Sequence, residues 1–273
     1  MSKFTDQEYL KTDQYRDASN LDTRAKLHRR FGTNPYGWFP WIFDILETLP
    51  STARVLELGC GPGYVWKECV DRIPAGWNIT LSDLSDGMLD AAWRNLVVTG
   101  RAFKYEQIDA QSIPYPDETF DIVIANFMLY HVPNRQKALR EIHRVLRSPD
   151  PVSGKSGGHF VAATSSHEHL NELNTWLKKA SPDKFIPFNS SFSLDNGLEQ
   201  LKPFFSAIEI KHYDNNLRVT EIEPLMAYIF STMKARDIPE SALLEIRREL
   251  EDILSQKGKI FITTDSGLFL AVK

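Results

Sequence analysis

The chain has 273 residues, 42% apolar and 25% charged, the range of a globular protein long enough to bury a core without staples. Its 32 Lys and Arg stand against 36 Asp and Glu, a formal charge of −4, which argues against nucleic acid as partner and against a polybasic membrane anchor. Two cysteines, Cys60 and Cys69, are too few for a disulfide framework, the N-terminus lacks the apolar run of a signal peptide, and no 18 apolar residues follow one another; these predict a cytoplasmic protein with no stable membrane association.

Residues 1–50 hold no clear strand. Leu21, Ala25, Leu27 and His28 hint at a helix, and Phe43, Leu46 and Leu49 are spaced for one face of a second, closed by Pro50. From residue 53 short strands alternate with helices. Arg54–Leu58 reads as a buried strand and leads into a glycine loop, after which Val65, Trp66, Cys69, Val70 and Ile73 form a helical stripe. Asn78–Ser82 is a second strand, and Ser85 an N-cap for a helix bearing Met88, Leu89, Ala92, Trp93 and Leu96. Phe103–Ile108 and Phe120–Ala125 are the third and fourth strands. Asn134 caps a helix carrying Ala138, Leu139, Ile142, Val145 and Leu146, and Gly158–Thr164 is a fifth strand. This alternation predicts crossover units, a parallel sheet and an α/β fold.

The remainder changes character. A helix near Glu168–Lys179 leads into an aromatic stretch at Ser181–Ser193. Ala207–Tyr213 is a strand, two helices follow at about 223–235 and 240–256, and Lys259–Val272 closes the chain as a strand or as a hairpin tightened at Ser266-Gly267. Four zones result: an N-terminal helical cap or lid (1–50), a core (51–166), a cap insertion (167–205) and a C-terminal part of the sheet with two helices (206–273).

The chemistry concentrates in Glu57-Leu-Gly-Cys-Gly-Pro-Gly63. Gly59, Gly61 and Gly63 are spaced more tightly than a dinucleotide fingerprint, whose third glycine position is occupied by Tyr64, and the loop lacks the lysine of a P-loop. Glu57 just ahead of the glycines would repel a pyrophosphate and attract an ammonium or sulfonium. Ligands of open α/β sheets bind outside the carboxyl ends of the strands. Strand ends one to four place Glu57 with the glycines, Asp83, Asp109 and Asn126 on one rim.

These residues resemble the class I S-adenosylmethionine-dependent methyltransferases, of the small-molecule, methyltransferase type 11/25-like kind. The likeness runs through residues 57–63, 82–89, 107–132 and the Gly158 strand, about 50–166 in all, and more loosely through the last strand. It implies a Rossmann-like, mostly parallel seven-stranded sheet with an antiparallel last strand, helices on both faces and a helical cap. It implies S-adenosyl-L-methionine as cofactor and S-adenosyl-L-homocysteine as product. Glu57, Gly59, Cys60, Gly61 and Gly63 would hold the methionine part and Asp83 the ribose hydroxyls. Leu84 would pack on adenine, Asp109 would accept from its amino group beside Ala110, and Asn126 would lie near the ammonium and sulfonium. The connection Ser148–Gly158 departs from the family by its length.

Methyl transfer is an in-line displacement, accelerated by alignment and water exclusion; a base is needed only if the acceptor must lose a proton. Tyr130 and His131, after strand four, are the catalytic candidates, His131 as a general base; His28, Tyr9 and Tyr15 are further candidates. His167 and His169 are spaced wrongly for two ligands on one helix face, so no metal is expected. Phe31, Tyr36, Trp38, Phe39 and Trp41, with Trp176, Phe185, Phe188 and Phe192, are predicted to close over the cofactor and shape a mainly apolar site for a small-molecule acceptor. An NAD(P)-dependent oxidoreductase and a non-catalytic S-adenosylmethionine-binding module are the competing readings. The acceptor's identity, the element methylated and the oligomeric state are not encoded legibly.

Overall fold

The computed structural model describes residues 3–152, 154, 156–180, 191–232 and 238–273. Seven strands form one sheet: β1 (Thr52–Leu58), β2 (Gly76–Asp83), β3 (Lys104–Gln107), β4 (Ile122–Asn126), β5 (His159–Ser165), β6 (Ala207–Val219) and β7 (Ile260–Val272), in the order β3-β2-β1-β4-β5-β7-β6. Strands β1 to β5 pair in parallel, and β7 runs antiparallel to both β5 and β6. The sequence expectation of a Rossmann-like α/β sheet holds.

Alternation along the central strands explains why both faces are covered. Val55, Ile122 and Ile124 point into one apolar cluster, with α3 (Trp38–Leu46), α4 (Tyr64–Glu68) and α5 (Asp86–Leu96). Leu56, Val123 and Ala125 point into the other, with α6 (Arg135–Val145) and α8 (Gly197–Leu201). Ser85 and Asn134 do cap α5 and α6, their side chains accepting from Met88 N–H and Lys137 N–H.

A third cluster lies beyond the sheet's core. It joins Leu27 and Phe31 of α2 (Ser19–Phe31) to Leu173 and Trp176 of α7 (Asn171–Ala180), to Leu225 and Ile229 of α9 (Ile222–Phe230), and to Ile246 and Leu250 of α10 (Glu240–Lys257). Leu217, Val219, Ile260 and Ile262, from the far ends of β6 and β7, complete it. The strands β6 and β7 thus serve both the sheet and this third cluster. Ahead of α2, the short turns α1 (Gln7–Tyr9) and Leu10–Gln14 carry the N-terminal segment across the strand ends.

Beside β6, which runs on past the foreseen Tyr213 to Val219, two details differ from expectation. The helix foreseen from Glu168 starts at Asn171, because Leu170 adopts a left-handed φ of 59° and breaks the chain direction. The hairpin alternative at Ser266-Gly267 is excluded: β7 runs straight through, pairing Gly267 with Thr164 on one side and His212 on the other. A Cβ on Gly267 would stand 2.3 Å from the Lys211 carbonyl oxygen, so this glycine permits close strand approach and makes no turn. Phe185 and Phe188 lie outside the described residues. Gly267→Ala is expected to cost about 1–3 kcal/mol by overpacking, read as a melting temperature lower by about 2–4 °C per kcal/mol in thermal unfolding.

Candidate active site

The loop after β1 is shaped by left-handed glycines, with φ of 67° at Gly59, 52° at Gly61 and 71° at Gly63. At Gly59 a Cβ would also strike the Met128 side chain at 2.8 Å. Cys60 N–H donates to the Ser82 carbonyl (2.8 Å), and Gly61 N–H to Asp83 Oδ2 (3.0 Å). Ser85 N–H donates to Asp83 Oδ1 (2.9 Å), so backbone donors fix the carboxylate at the end of β2. Burial still pushes Asp83 up to about 6. Burial likewise drives the Cys60 thiol well up, which removes it as a nucleophile.

Glu57 is 3% exposed. Trp66 Nε1–H donates to its Oε2 (2.5 Å) and Asn126 Nδ2–H to its Oε1 (3.0 Å), but no cation neutralises it among the described residues. Burial therefore raises its pKa to about 7, against the opposing pull of those two donors. Asn126 Oδ1 is buried and has no hydrogen-bond partner. Next to it Phe127 takes a left-handed φ of 52°, a strained conformation for an aromatic residue, held by its N–H to the Ala163 carbonyl (2.9 Å) and its ring against Trp38 (5.1 Å between centroids).

Asp109, after β3, accepts from Gln111 N–H (2.9 Å) and from Gln7 Nε2–H (3.1 Å), so α1 rests on the rim. Glu57, Gly59, Cys60, Gly61, Asp83, Leu84, Asp109, Ala110 and Asn126 all line one cavity of about 620 Å³, the size of a cofactor and small-ligand site. Gly63 lies outside its wall and acts on loop geometry, accepting Lys67 N–H at the start of α4.

The same cavity extends under the N-terminal segment, where it meets Tyr130 and His131. His131 Nδ1 is 2.8 Å from the Phe4 carbonyl oxygen and must carry the proton there. Its Nε2 therefore accepts the Tyr15 hydroxyl at 2.8 Å. Burial lowers His131 to about 4, so it is neutral at physiological pH. Tyr130, buried beside it, has its phenol pushed well up by the same cause. Of the aromatic candidates, Tyr36, Trp38 and Phe39 reach the cavity wall, whereas Phe31 and Trp176 build the cap cluster and Phe192 the sheet core. Sequence reasoning passed over Gln7, Arg24, Tyr213 and Tyr228 and weighed His169 only as a metal ligand, yet all five line the cavity; Arg24 and His28 at i, i+4 on α2 were a readable signal for one shared face. Among the described residues no group of three His, Cys, Asp or Glu is placed to hold a metal.

A buried carboxylate with no cation among the described residues, an orphan amide oxygen and a hydrogen-bonded carboxylate at the second strand suit a cationic, hydroxyl-bearing ligand. S-adenosylmethionine, with its ammonium, sulfonium and ribose, fits that donor and acceptor set. Residues 56–149 match a methyltransferase domain family. The ubiquinone/menaquinone biosynthesis C-methyltransferase of Citrobacter koseri is 36% identical over 123 residues, 44% of this chain and 45% of that protein. The chain matches less than half the length of such curated relatives. Among solved structures, a Haemonchus contortus phosphoethanolamine N-methyltransferase, in complex with S-adenosyl-L-methionine, superposes with a TM-score of 0.58 at 19% identity, over 100% of this chain and 60% of its own. The [4+2]-cyclase SpnF gives 0.57 at 16% identity, over 98% and 96%. Residues 56–149 thus carry a match to a methyltransferase domain, set within a sheet of the methyltransferase-like fold.

The raised pKa of Glu57 sets a sign. Between about pH 4.5 and 7 the empty site holds a proton that a cationic ligand must displace, and Asp83 adds to this near pH 6. S-adenosylhomocysteine, whose ammonium stands for the cofactor's, is expected to bind with proton release, weakening by up to about tenfold per pH unit below 7 through Glu57 and more steeply below about 6, where Asp83 joins it. Calorimetry in buffers of different ionisation enthalpy reads this directly; Glu57→Gln is expected to leave only the shallower Asp83 dependence.

Proposed function

We propose that this protein transfers the methyl group of S-adenosylmethionine to a small metabolite held in the capped half of the cavity. The observation that carries the reading is continuity: one cavity joins the acidic rim of β1–β4 to an aromatic and polar chamber closed by the N-terminal segment. S-adenosylmethionine supplies an electrophilic methyl on a sulfonium; the protein's task is alignment and exclusion of water.

In this reading Glu57 and Asn126 take the cofactor's ammonium, Asn126 through its unpartnered Oδ1, and the loop Gly59–Gly63 with Cys60 cradles the methionine part. Asp83 accepts from the ribose hydroxyls, while Leu84, Asp109 and Ala110 frame adenine. His131 holds Tyr15 over the chamber: its Nδ1–H is bound to the N-terminal backbone, and its lone pair is occupied by the phenol. Tyr130 packs its ring on His131 (4.5 Å) and walls the chamber. An acceptor that must lose a proton passes it to the Tyr15 oxygen as Tyr15 hands its own to His131. The −4 charge and the absence, among the described residues, of a helix long and apolar enough to cross a membrane support a small acceptor over nucleic acid or lipid surface and a cytoplasmic setting.

Incubation with methyl-labelled S-adenosylmethionine and fractionated cell metabolites is expected to yield one labelled small molecule with stoichiometric S-adenosylhomocysteine. Binding of NADH in place of S-adenosylhomocysteine would overturn the assignment in favour of an oxidoreductase; tight S-adenosylhomocysteine binding with no transfer to any fraction would favour a non-catalytic module. Tyr15→Phe removes one closing hydrogen bond and is expected to lower turnover by about 3–10-fold, the worth of roughly 0.5–1.5 kcal/mol. Because His131 is neutral above about pH 4, its titration is expected to leave the rate profile flat from pH 6 to 8; an inflection near 6.5 abolished by His131→Ala would contradict the Tyr15–His131 pairing.

A further inference from the structure

The cofactor rim uses the tips of β1 to β4, but the cavity continues along the sheet to Ser165 at the end of β5 and Ser266 in the middle of β7, both of which line it. The charge there is one-sided. The carboxylates lining the cavity are Glu57, Asp83 and Asp109 on the rim, and Glu68, which is paired with Arg29 at 2.5 Å. No carboxylate lies within ion-pair distance of Arg24 among the described residues. Its Nη2 donates to the Ser231 carbonyl (2.6 Å) and its Nε to Ser231 Oγ (3.3 Å), and the guanidinium lies 5.9 Å from the Tyr15 ring, while Nη1 has no hydrogen-bond partner among the described residues.

One turn further along α2, the His28 ring stacks on His169 (6.1 Å, 6° between planes) and meets Tyr228 edge-on at 5.9 Å. His169 Nδ1 accepts the Asp265 backbone N–H at 3.2 Å, so its proton resides on Nε2 and is available to donate. The His28 ring makes no hydrogen bond to the described residues, its backbone carbonyl taking Gly32 N–H at 2.9 Å. Burial holds both rings neutral, His28 near 4 and His169 near 3. Two oriented imidazoles and one guanidinium without a carboxylate form a chamber of donors, and donors in a desolvated pocket require an acceptor-rich occupant.

We infer that the methyl acceptor carries an anionic group, a carboxylate or a phosphate, seated on Arg24, His28 and His169 under the cap. This rests on the methyltransferase reading above and names its substrate class. An anion would take N–H donors from Arg24 Nη1 and His169 Nε2, with His28 free to choose its tautomer. The remaining wall, from Trp38, Phe127, Tyr213 and Tyr228, suits an apolar or aromatic body for the same molecule. The one other carboxylate that Arg24 could serve is that of the cofactor's own methionine part, and the experiment separates the two.

The test is calorimetry on the full chain. S-adenosylhomocysteine is titrated first, and its binding reports the cofactor reading independently. The loaded protein is then titrated with benzoate and phenyl phosphate against benzamide and phenol. At least one anion is expected to bind tenfold or more tighter than its neutral counterpart. Arg24→Gln and His28→Asn are each expected to abolish that preference while S-adenosylhomocysteine affinity stays within twofold, and Arg24→Lys to retain part of it. Equal binding of anion and neutral probe, or no binding of either anion at millimolar concentration, would overturn the inference. So would an Arg24→Gln variant that loses S-adenosylhomocysteine affinity tenfold and keeps the anion preference, which would give Arg24 to the cofactor.

Discussion

Burial of Glu57 is the constraint around which the site is built. A carboxylate at the end of a central strand is removed from water, oriented by Trp66 and Asn126, and left without a cation. Such a group is costly in an empty site and favourable once a cation arrives, so the protein stores a preference for positive charge at one point. Two neighbours depend on it. Trp66 ties Glu57 to the aromatic core with Phe43 and Trp77, and Asn126 ends β4 with its remaining oxygen turned toward the cavity wall. The same raised pKa makes the empty fold less stable as pH climbs from about 4.5 to 7, the direction opposite to the three depressed histidines of the chamber.

The N-terminal segment is held over the cavity by a separate set of contacts. Gln7 reaches Asp109 after β3, Tyr15 and Phe4 grip His131 after β4, and Gln14 donates to the Ser231 carbonyl at the end of α9. Each contact joins the first fifteen residues to a different part of the body. Each is a single hydrogen bond worth about 0.5–1.5 kcal/mol, the scale on which the lid of the proposed function would open and close.

Much of this was readable in the sequence because it is local. Apolar runs of strand length ending in Glu57, Asp83, Asp109 and Asn126 mark both the strands and the rim, and Ser85 and Asn134 mark the helix starts that follow. What escaped is non-local. Asp214, Asn215 and Asn216 are poor strand formers, yet β6 continues through them because Thr264 on β7 bonds the Asn215 carbonyl (2.6 Å) and Asn216 Oδ1 (3.1 Å). His169 looked like half of an unlikely metal pair. A left-handed Leu170 instead turns it inward onto His28, from a helix 140 residues away in the chain, while His167 faces out to Asp195 at 2.8 Å. No periodicity within either segment carries that meeting. The aromatic count likewise did not say which rings would face the cavity, as Tyr36, Trp38 and Phe39 do, and which would pack into the third apolar cluster, as Phe31 and Trp176 do.

The central claim is that Glu57 awaits a cation, and it is tested most directly by removing that cation from the ligand. Calorimetric titration with S-adenosylhomocysteine and with its analogue bearing hydrogen in place of the amino group isolates the interaction. The account predicts that the amino compound binds about a hundredfold tighter at pH 7.5, close to 2.7 kcal/mol, and that Glu57→Gln erases most of the difference. Equal affinity of the two ligands for the unaltered protein would contradict it.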